Sequence, residues 1–432
     1  MGSAEAINQV ADIVEKGRCP VAVVVSATSG TTDKLIALGE AALSPAGDGH
    51  GCVDYLQILD EIIEKHEKIV QELGIDLSLQ NFWDDIRKLA QGINLILELS
   101  SSARDRLLTF GERISAHILS ALLEKRGRKS EPCDAYNFIF TDNNFGEANV
   151  NFEKTNVSIN GALIQMLENG VIPVITGFIG QSENGHYITL GRGGSDYTGA
   201  IVGAALSAKE VQIWTDVNGI LNADPRLVPE AKVLDKLSFN EAGELAYFGA
   251  KVLHPKTIKP AIEKNIPVRI LNTFNPSAPG TSIINEEEDS LKSVTYKKGV
   301  KIINICSAGM LEAHGFMAKI FEVFARHDIA VDVVSTSEVS VSVTVDNGIS
   351  EGLIADLEKF AKISIHKGMA IVCLVGGGII SNKKVLGQLF SAISEHDVSM
   401  VSQGASKRNV TFLIKEDEAQ AVVKKIFNQF FQ

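Results

Sequence analysis

Residues 189–200, TLGRGGSDYTGA, decide how the chain is read. Gly191, Gly193, Gly194 and Gly199 alternate with Arg192, Ser195, Asp196 and Thr198, and the apolar run AIVGAALSA follows at once, so the loop opens a helix. Glycine lets backbone N–H groups approach a ligand closely, and a helix N-terminus offers unpaired amides with partial positive charge. Arg192 adds a fork suited to a carboxylate or a phosphate. Ser195 can donate to the same anion or cap the helix. Alone, the stretch fits an anion site or a capped helix after a tight turn.

Outward from this loop, VAVVVSA (21–27), VIPVITGFIG (171–180), VQIWTDV (211–217) and IPVRILN (266–272) read as buried strands, and 55–125 reads almost wholly as helix. Strands alternating with helices predict an α/β fold with a mostly parallel sheet covered on both faces. Ligands in such folds sit at the carboxyl ends of strands, where the small-residue loops after 25, 176 and 214 fall. Thr215 and Asp216 in WTDVNGILNADPR (214–226) occupy one such end, although Asp216 can equally cap its loop and Asp224-Pro225 can be an ordinary turn. Lys251 in FGAKVLHPKTI follows a small-residue turn and is otherwise a solvated charge. Glu112 in TFGERISAHIL stands at a helix start, a placement the helix dipole favours by itself.

The charged segment 285–299, NEEEDSLKSVTYKKG, reads as a linker or surface crossover. An internal repeat follows it. KIFEVFARHDIAVDVVSTSEVSVSVTV (319–345) matches the segment 387–414 at an offset of 69 residues, which pairs Phe321 with Phe390 and His327-Asp328 with His396-Asp397. Each copy reads as helix, turn, strand, turn and strand, and two copies predict a module sharing a sheet or an interface. The paired histidines read as helix C-terminal cations. VGGGII (375–380) reads as the loop before the second copy's helix.

At 432 residues the chain holds two or three domains. A net charge of −12 and a pI near 5.3 exclude nucleic acid or an anionic membrane as its main partner. The five cysteines are scattered and read as buried free thiols, which suits a reducing cytoplasm. No apolar run approaches the length of about 20 residues that a membrane helix needs, and no signal-peptide core opens the chain, so a cytoplasmic location is expected.

Taken together, VVVSATSG, TFGERIS, PVITGFIG, TLGRGGSDYTG, IWTDVNGILNADPR and GAKVLHP resemble the aspartokinase family, which has the amino-acid kinase fold. The repeat after residue 300, with STSEVSVSVTVD, resembles the tandem α+β ACT domains of that family. The resemblance covers essentially the whole chain. It implies a catalytic domain over 1–285, a linker over 286–299 and interleaved ACT domains over 300–368 and 369–432. It implies transfer of the γ-phosphoryl group of ATP, with Mg2+, to the β-carboxylate of L-aspartate, the first step toward lysine, threonine and methionine. By matching position, Ser26, Arg192, Gly193, Gly194 and Ser195 would hold aspartate and Glu112 its ammonium. Asp196 would organise the phosphates and Mg2+. Thr215, Asp216, Leu221, Arg226, Lys251 and Val252 would serve ATP, with Leu221 standing where the family often has Tyr.

The ACT pair resembles the lysine-sensitive type. Met310, Gly315, Phe316, Met317, Asp332, Ser337 and Glu338 would form the effector site, and the chain would pair as a homodimer through ACT units. Phe316 and Met317 also fit a core, and the Ser/Val alternation also fits a half-buried strand. One departure stands out. The family's opening strand, K-F-G-G-T-S-V, would precede Gly2-Ser3-Ala4, so the chain reads as truncated and its activity is expected to be reduced. The rival readings are another amino-acid kinase and a catalytically impaired ACT-containing amino-acid sensor.

Overall fold

The computed structural model describes residues 1–17, 20–44, 54–248, 255–311, 314–346 and 348–432. The chain divides into two compact units, Met1–Asn218 with His254–Ile284, and Gly219–Leu253 with Asn285–Gln432. The first contains α1 (Ala4–Lys16), β1 (Val23–Val25), α2 (Thr31–Ala41), α3 (Tyr55–Leu73), α4 (Gln80–Ile96), α5 (Ser101–Leu108) and α6 (Phe110–Lys125). It continues with β2 (Ser130–Cys133), α7 (Phe152–Glu168), β3 (Ile172–Thr176), β4 (Ile179–Gln181), β5 (Tyr187–Thr189), α8 (Gly194–Ala205) and β6 (Val211–Thr215). The path then enters the second unit through β7 (Lys236–Ser238) and α9 (Phe239–Phe248), and returns for α10 (Pro255–Glu263), β8 (Val268–Asn272) and β9 (Thr281–Ile284).

β3 is buried at all five positions and pairs in parallel with β1 on one side and β2 on the other. A strand covered on both faces reads as an unbroken apolar run, as IPVIT does. β6 and β8 form a second parallel pair, with β9 antiparallel beside β8. One apolar core beneath α1–α6 is anchored by Ile7, Leu35, Leu59, Trp83, Phe110 and Leu119. A second, around Ile139, Ile159, Ile175, Ile188 and Ile201, seats α7 and α8.

The turn after β3 and the start of α8 meet without room for a side chain. A Cβ on Gly177 would lie 2.6 Å from the Ser195 Cβ, and one on Gly194 would lie 2.5 Å from the Phe178 ring. Phe178 adopts φ 70°, and its N–H donates to Thr198 Oγ1 at 3.0 Å. The β3 turn is thereby locked onto the helix that follows the glycine loop.

The second unit continues with β10 (Leu291–Cys306), α11 (Phe316–Arg326), β11 (Val334–Thr336), β12 (Ser340–Val345), α12 (Glu351–Glu358) and β13 (Lys362–Gly376). It ends with α13 (Lys383–Ile393), β14 (Met400–Gln403), β15 (Asn409–Lys415) and α14 (Ala419–Phe431). Its strands from β10 onward form one antiparallel sheet in the order β11-β12-β10-β13-β15-β14. The β10–β13 ladder shifts register near Lys297 and Val300. Residues beyond the shift join β12 and β11 beneath α11 and α12, around Ile305, Phe324, Val343 and Leu357. Residues before it join the β15 half beneath α13 and α14, around Val372, Leu389, Phe412 and Phe427. The two repeats thus exchange strands.

This corrects the expected linker: residues 291–299 are strand, because pairing with β13 supplies backbone partners that the polar side chains do not report. Residues 219–253 also group with the second unit, although their sequence lies between catalytic motifs. Ala223, Leu227 and Val228 bury their side chains in the α13–α14 core. His327 pairs with Asp356 at 2.9 Å and His396 with Glu418 at 2.5 Å, so each histidine fastens its helix to the next helix of its own repeat.

Gly177→Ala is expected to cost about 1–3 kcal/mol, as overpacking does. Trp83 and Trp214, both in the first unit, report its urea transition, which should move to lower denaturant; an unchanged midpoint contradicts the tight seat.

Candidate functional site

The first unit holds a cavity of about 620 Å³. Its walls come from the β1–α2 connection (Ser26), α2 (Thr32), α5 (Arg104, Asp105), α6 (Glu112), the β3 turn (Phe178) and the glycine loop with the first turn of α8 (Gly191–Asp196). It therefore opens at the carboxyl ends of β1 and β3, where an α/β fold places ligands. Ser26, Glu112, Arg192, Gly193, Gly194, Ser195 and Asp196, scattered over 171 positions of sequence (26 to 196), all line it.

The glycine loop is built for an anion. Gly191 and Gly193 have φ 79° and 72°, a left-handed conformation that suits glycine. Gly193 is the N-cap of α8 and no side chain caps the helix, so Ser195 does not serve as a cap and its hydroxyl is left for the cavity. The first-turn amides of α8 have no intrahelical acceptor. Arg192 and Arg104 are exposed cations at the rim.

Glu112 is more than a dipole-favoured first-turn residue. It is 4 % exposed, its Oε1 accepts the Ala27 N–H at 3.1 Å, and its buried Oε2 has no partner. Burial pushes its carboxyl up to about 7. Asp196 is also pushed up by burial, to about 6. Both carboxyls hold protons more tightly than usual because burial strips water from the charged form. A ligand bringing an ammonium to Glu112 and a hydrated metal to Asp196 would relieve that cost. Among the described residues, no cluster of three or more His, Cys, Asp or Glu can hold a metal. Asp196, a single buried carboxyl in the cavity lining, fits an outer partner of Mg2+ and would not hold the ion by itself.

Thr215 and Asp216 end β6, away from the cavity lining. Thr215 Oγ1 donates to Asp216 Oδ1 at 3.1 Å, and the Thr273 N–H bonds the Thr215 carbonyl at 2.8 Å. Lys251 and Val252 lie outside the described residues, as do Cys19 and Cys52. Leu221 and Arg226 belong to the second unit. Leu221 is half-buried and bridges Val233, while exposed Arg226 clamps Asp224, its terminal nitrogen 2.7 Å from Oδ2.

Of the expected effector residues, Met310, Gly315, Phe316 and Met317 lie just before or at the start of α11. Gly315 is its N-cap, with φ 82°. Met310, Phe316 and Met317 pack half-buried against the Phe324 core. Ser337 bonds Ser340 at 2.7 Å, and Glu338 is exposed. The Asp332 side chain, 6 % exposed, pairs with Lys297 at 3.0 Å and accepts the Tyr247 hydroxyl; Lys297 also pairs with Asp346 at 2.6 Å. A protein ammonium thus already occupies the acidic pair.

Sequence reasoning missed Arg104 and Asp105. The only signal was an acidic residue inside RDRLLTFGE, seven positions before Glu112.

Among the described residues, no helix is long and apolar enough to cross a membrane. The amino acid kinase family model matches residues 1–272, and the ACT domain model matches 303–351 and 372–430. The chain is 38% identical to aspartokinase 1, chloroplastic, of Arabidopsis thaliana, over 100% of this chain and 79% of that protein. It is 32% identical to E. coli aspartokinase III, whose R-state structure with aspartate and ADP matches at a TM-score of 0.87, covering 100% of this chain and 97% of that one. The T-state structure of that enzyme with lysine and aspartate matches at 0.79 with the same coverage. Kinase region, paired ACT repeats and full-length likeness agree: the chain belongs to the aspartokinase family.

Proposed function

We propose that the chain phosphorylates L-aspartate with ATP, giving 4-phospho-L-aspartate and ADP, under feedback control by lysine. One observation carries the reading: a buried carboxyl, Glu112, keeps an unpaired oxygen in a cavity that the Arg192–Ser195 loop also lines. That pairing complements an amino acid bearing an extra carboxylate. Glu112 takes the ammonium. Arg192, the Ser195 hydroxyl and the Gly193 amide take carboxylate oxygens; the Gly194 N–H is already bonded to the Gly191 carbonyl at 3.0 Å, so Gly194 contributes close backbone approach, and Ser26 lies beside them.

The nucleophile is the substrate's own β-carboxylate, ionised at neutral pH, so no general base is required. Phosphoryl transfer then depends on alignment and on neutralising charge spread over the phosphates. Mg2+ bound with the nucleotide would supply part of that neutralisation, and Asp196 would hold its water shell. Arg192 and Asp196 would stand nearest the transfer, and Lys251 would add a cation. Thr215, Asp216, Leu221, Arg226 and Val252 are assigned to the nucleotide by position in the motif.

The effector reading places lysine among Met310, Gly315, Phe316, Met317, Asp332, Ser337 and Glu338, with its ammonium on Asp332 or Glu338. On Asp332 it would compete with Lys297. Pairing of two chains through their ACT units would complete the assembly, and a cytoplasmic site of action fits the free thiols of Cys133, Cys306 and Cys373.

Arg192→Ala and Glu112→Gln should each weaken L-aspartate binding by about 10–100-fold, the loss expected for a charge-assisted contact, and leave binding of a non-hydrolysable ATP analogue within about twofold. Calorimetry on the full chain measures both, and parallel loss of the two ligands contradicts the assignment. Asp332→Asn should raise the lysine concentration for half-maximal binding at least about tenfold. Lysine binding that is indifferent to this change would move the effector ammonium to Glu338.

A further inference from the structure

Asp105 is a carboxylate that the chemistry above does not use. It lies on α5 with 3 % of its surface exposed. One oxygen, Oδ2, accepts two backbone N–H groups, from Gly146 at 2.9 Å and from Thr189 at 2.8 Å. The Thr189 side chain also bonds the carboxyl. The donors come from separate pieces of chain. Gly146, at φ 87°, lies in the β2–α7 connection, and Thr189 ends β5 two positions before Gly191.

Those two pieces also meet at Gly191. A Cβ there would sit 3.2 Å from the Gly146 carbonyl oxygen and 3.1 Å from Glu147 Cγ. Asp105 therefore ties together the strand that delivers the anion loop and the turn that backs it. Burying a carboxylate is costly, and these bonds offset the cost only while both backbone pieces stay in place. Loss of the carboxylate would leave the buried Thr189 N–H and the partly buried Gly146 N–H without their acceptor.

We propose that Asp105 is a positioning residue for the aspartate seat: by holding Thr189 and Gly146 together it sets where Arg192 presents its guanidinium and where the first amides of α8 point. The inference rests on the reading that the Arg192 loop holds L-aspartate. A displacement of about 1 Å at such a seat is worth about 100-fold. Asn at this position keeps an oxygen that can accept both amides while removing the charge, so it separates positioning from electrostatics.

The test is calorimetric titration of the full chain with L-aspartate and, separately, with a non-hydrolysable ATP analogue. Asp105→Ala is expected to weaken aspartate binding at least about tenfold with nucleotide binding within about twofold, and Asp105→Asn to restore aspartate binding to within about threefold of the parent. Aspartate binding unchanged by Asp105→Ala overturns the inference, as does parallel loss of both ligands or an Asn variant as weak as Ala. Should Asp105→Ala fail to fold, Asp105→Asn decides alone: near-parental aspartate binding supports positioning, and a loss beyond tenfold overturns it. A parent chain that binds the nucleotide analogue but not aspartate removes the assignment of the seat, and the role of Asp105 with it.

Discussion

The site depends on a contact in which one partner has no side chain, the approach of Gly177 to Ser195. A Cβ on Gly177 would come within 2.8 Å of the Ser195 Cα, so the β3 turn and the first turn of α8 share a space that only glycine leaves open. This brings the unpaired amides of a helix N-terminus to the end of a buried parallel strand. A second glycine contact works from the other side. A Cβ on Gly111 would lie 2.6 Å from the Ala27 Cβ, and the residue after Gly111 is Glu112, whose Oε1 takes the Ala27 N–H. Close packing at two glycines thus sets an anion-binding loop and a buried carboxylate on one cavity.

The electrostatics follow from that arrangement. The chain carries −12 overall, so its global field repels aspartate and ATP alike. Binding must come from local charge: Arg192 and Arg104 at the rim and helix amides beneath. Glu112 and Asp196 add two carboxyls whose proton affinity is raised by burial, to about 7 and about 6. A site combining cations with poorly solvated carboxyls matches a zwitterion carrying an extra carboxylate better than any simple anion.

Much of this was legible in the sequence, and the failures have physical causes. The strands around β3 announce themselves as unbroken apolar runs. Arg192, Ser195 and Asp196 stand out because charge beside glycine before an apolar helix has few structural uses. Whether Ser195 caps its helix was undecidable from residue types; the conformation of Gly193 settles it. Residues 291–299 read as a linker because Lys292, Lys297 and Lys298 look solvated, whereas their strand character comes from the β13 ladder and the Asp332 and Asp346 carboxylates that hold Lys297. Asp105 was invisible for a related reason. On one helix turn an aspartate reads as a wet surface charge, and only tertiary packing reveals that its partners are amides 41 and 84 residues away.

The central claim is that Glu112 exchanges a proton for the substrate's ammonium. A carboxyl with a pKa of about 7 is half protonated at pH 7, and an ammonium placed against it must drive that proton off. Calorimetric titration of L-aspartate into the chain at pH 7, repeated in buffers of different ionisation enthalpy, measures the exchange. About half a proton should be released per aspartate bound, with the release fading as the pH rises toward 9 and missing from Glu112→Gln. Tight aspartate binding with no proton release at pH 7 would contradict it.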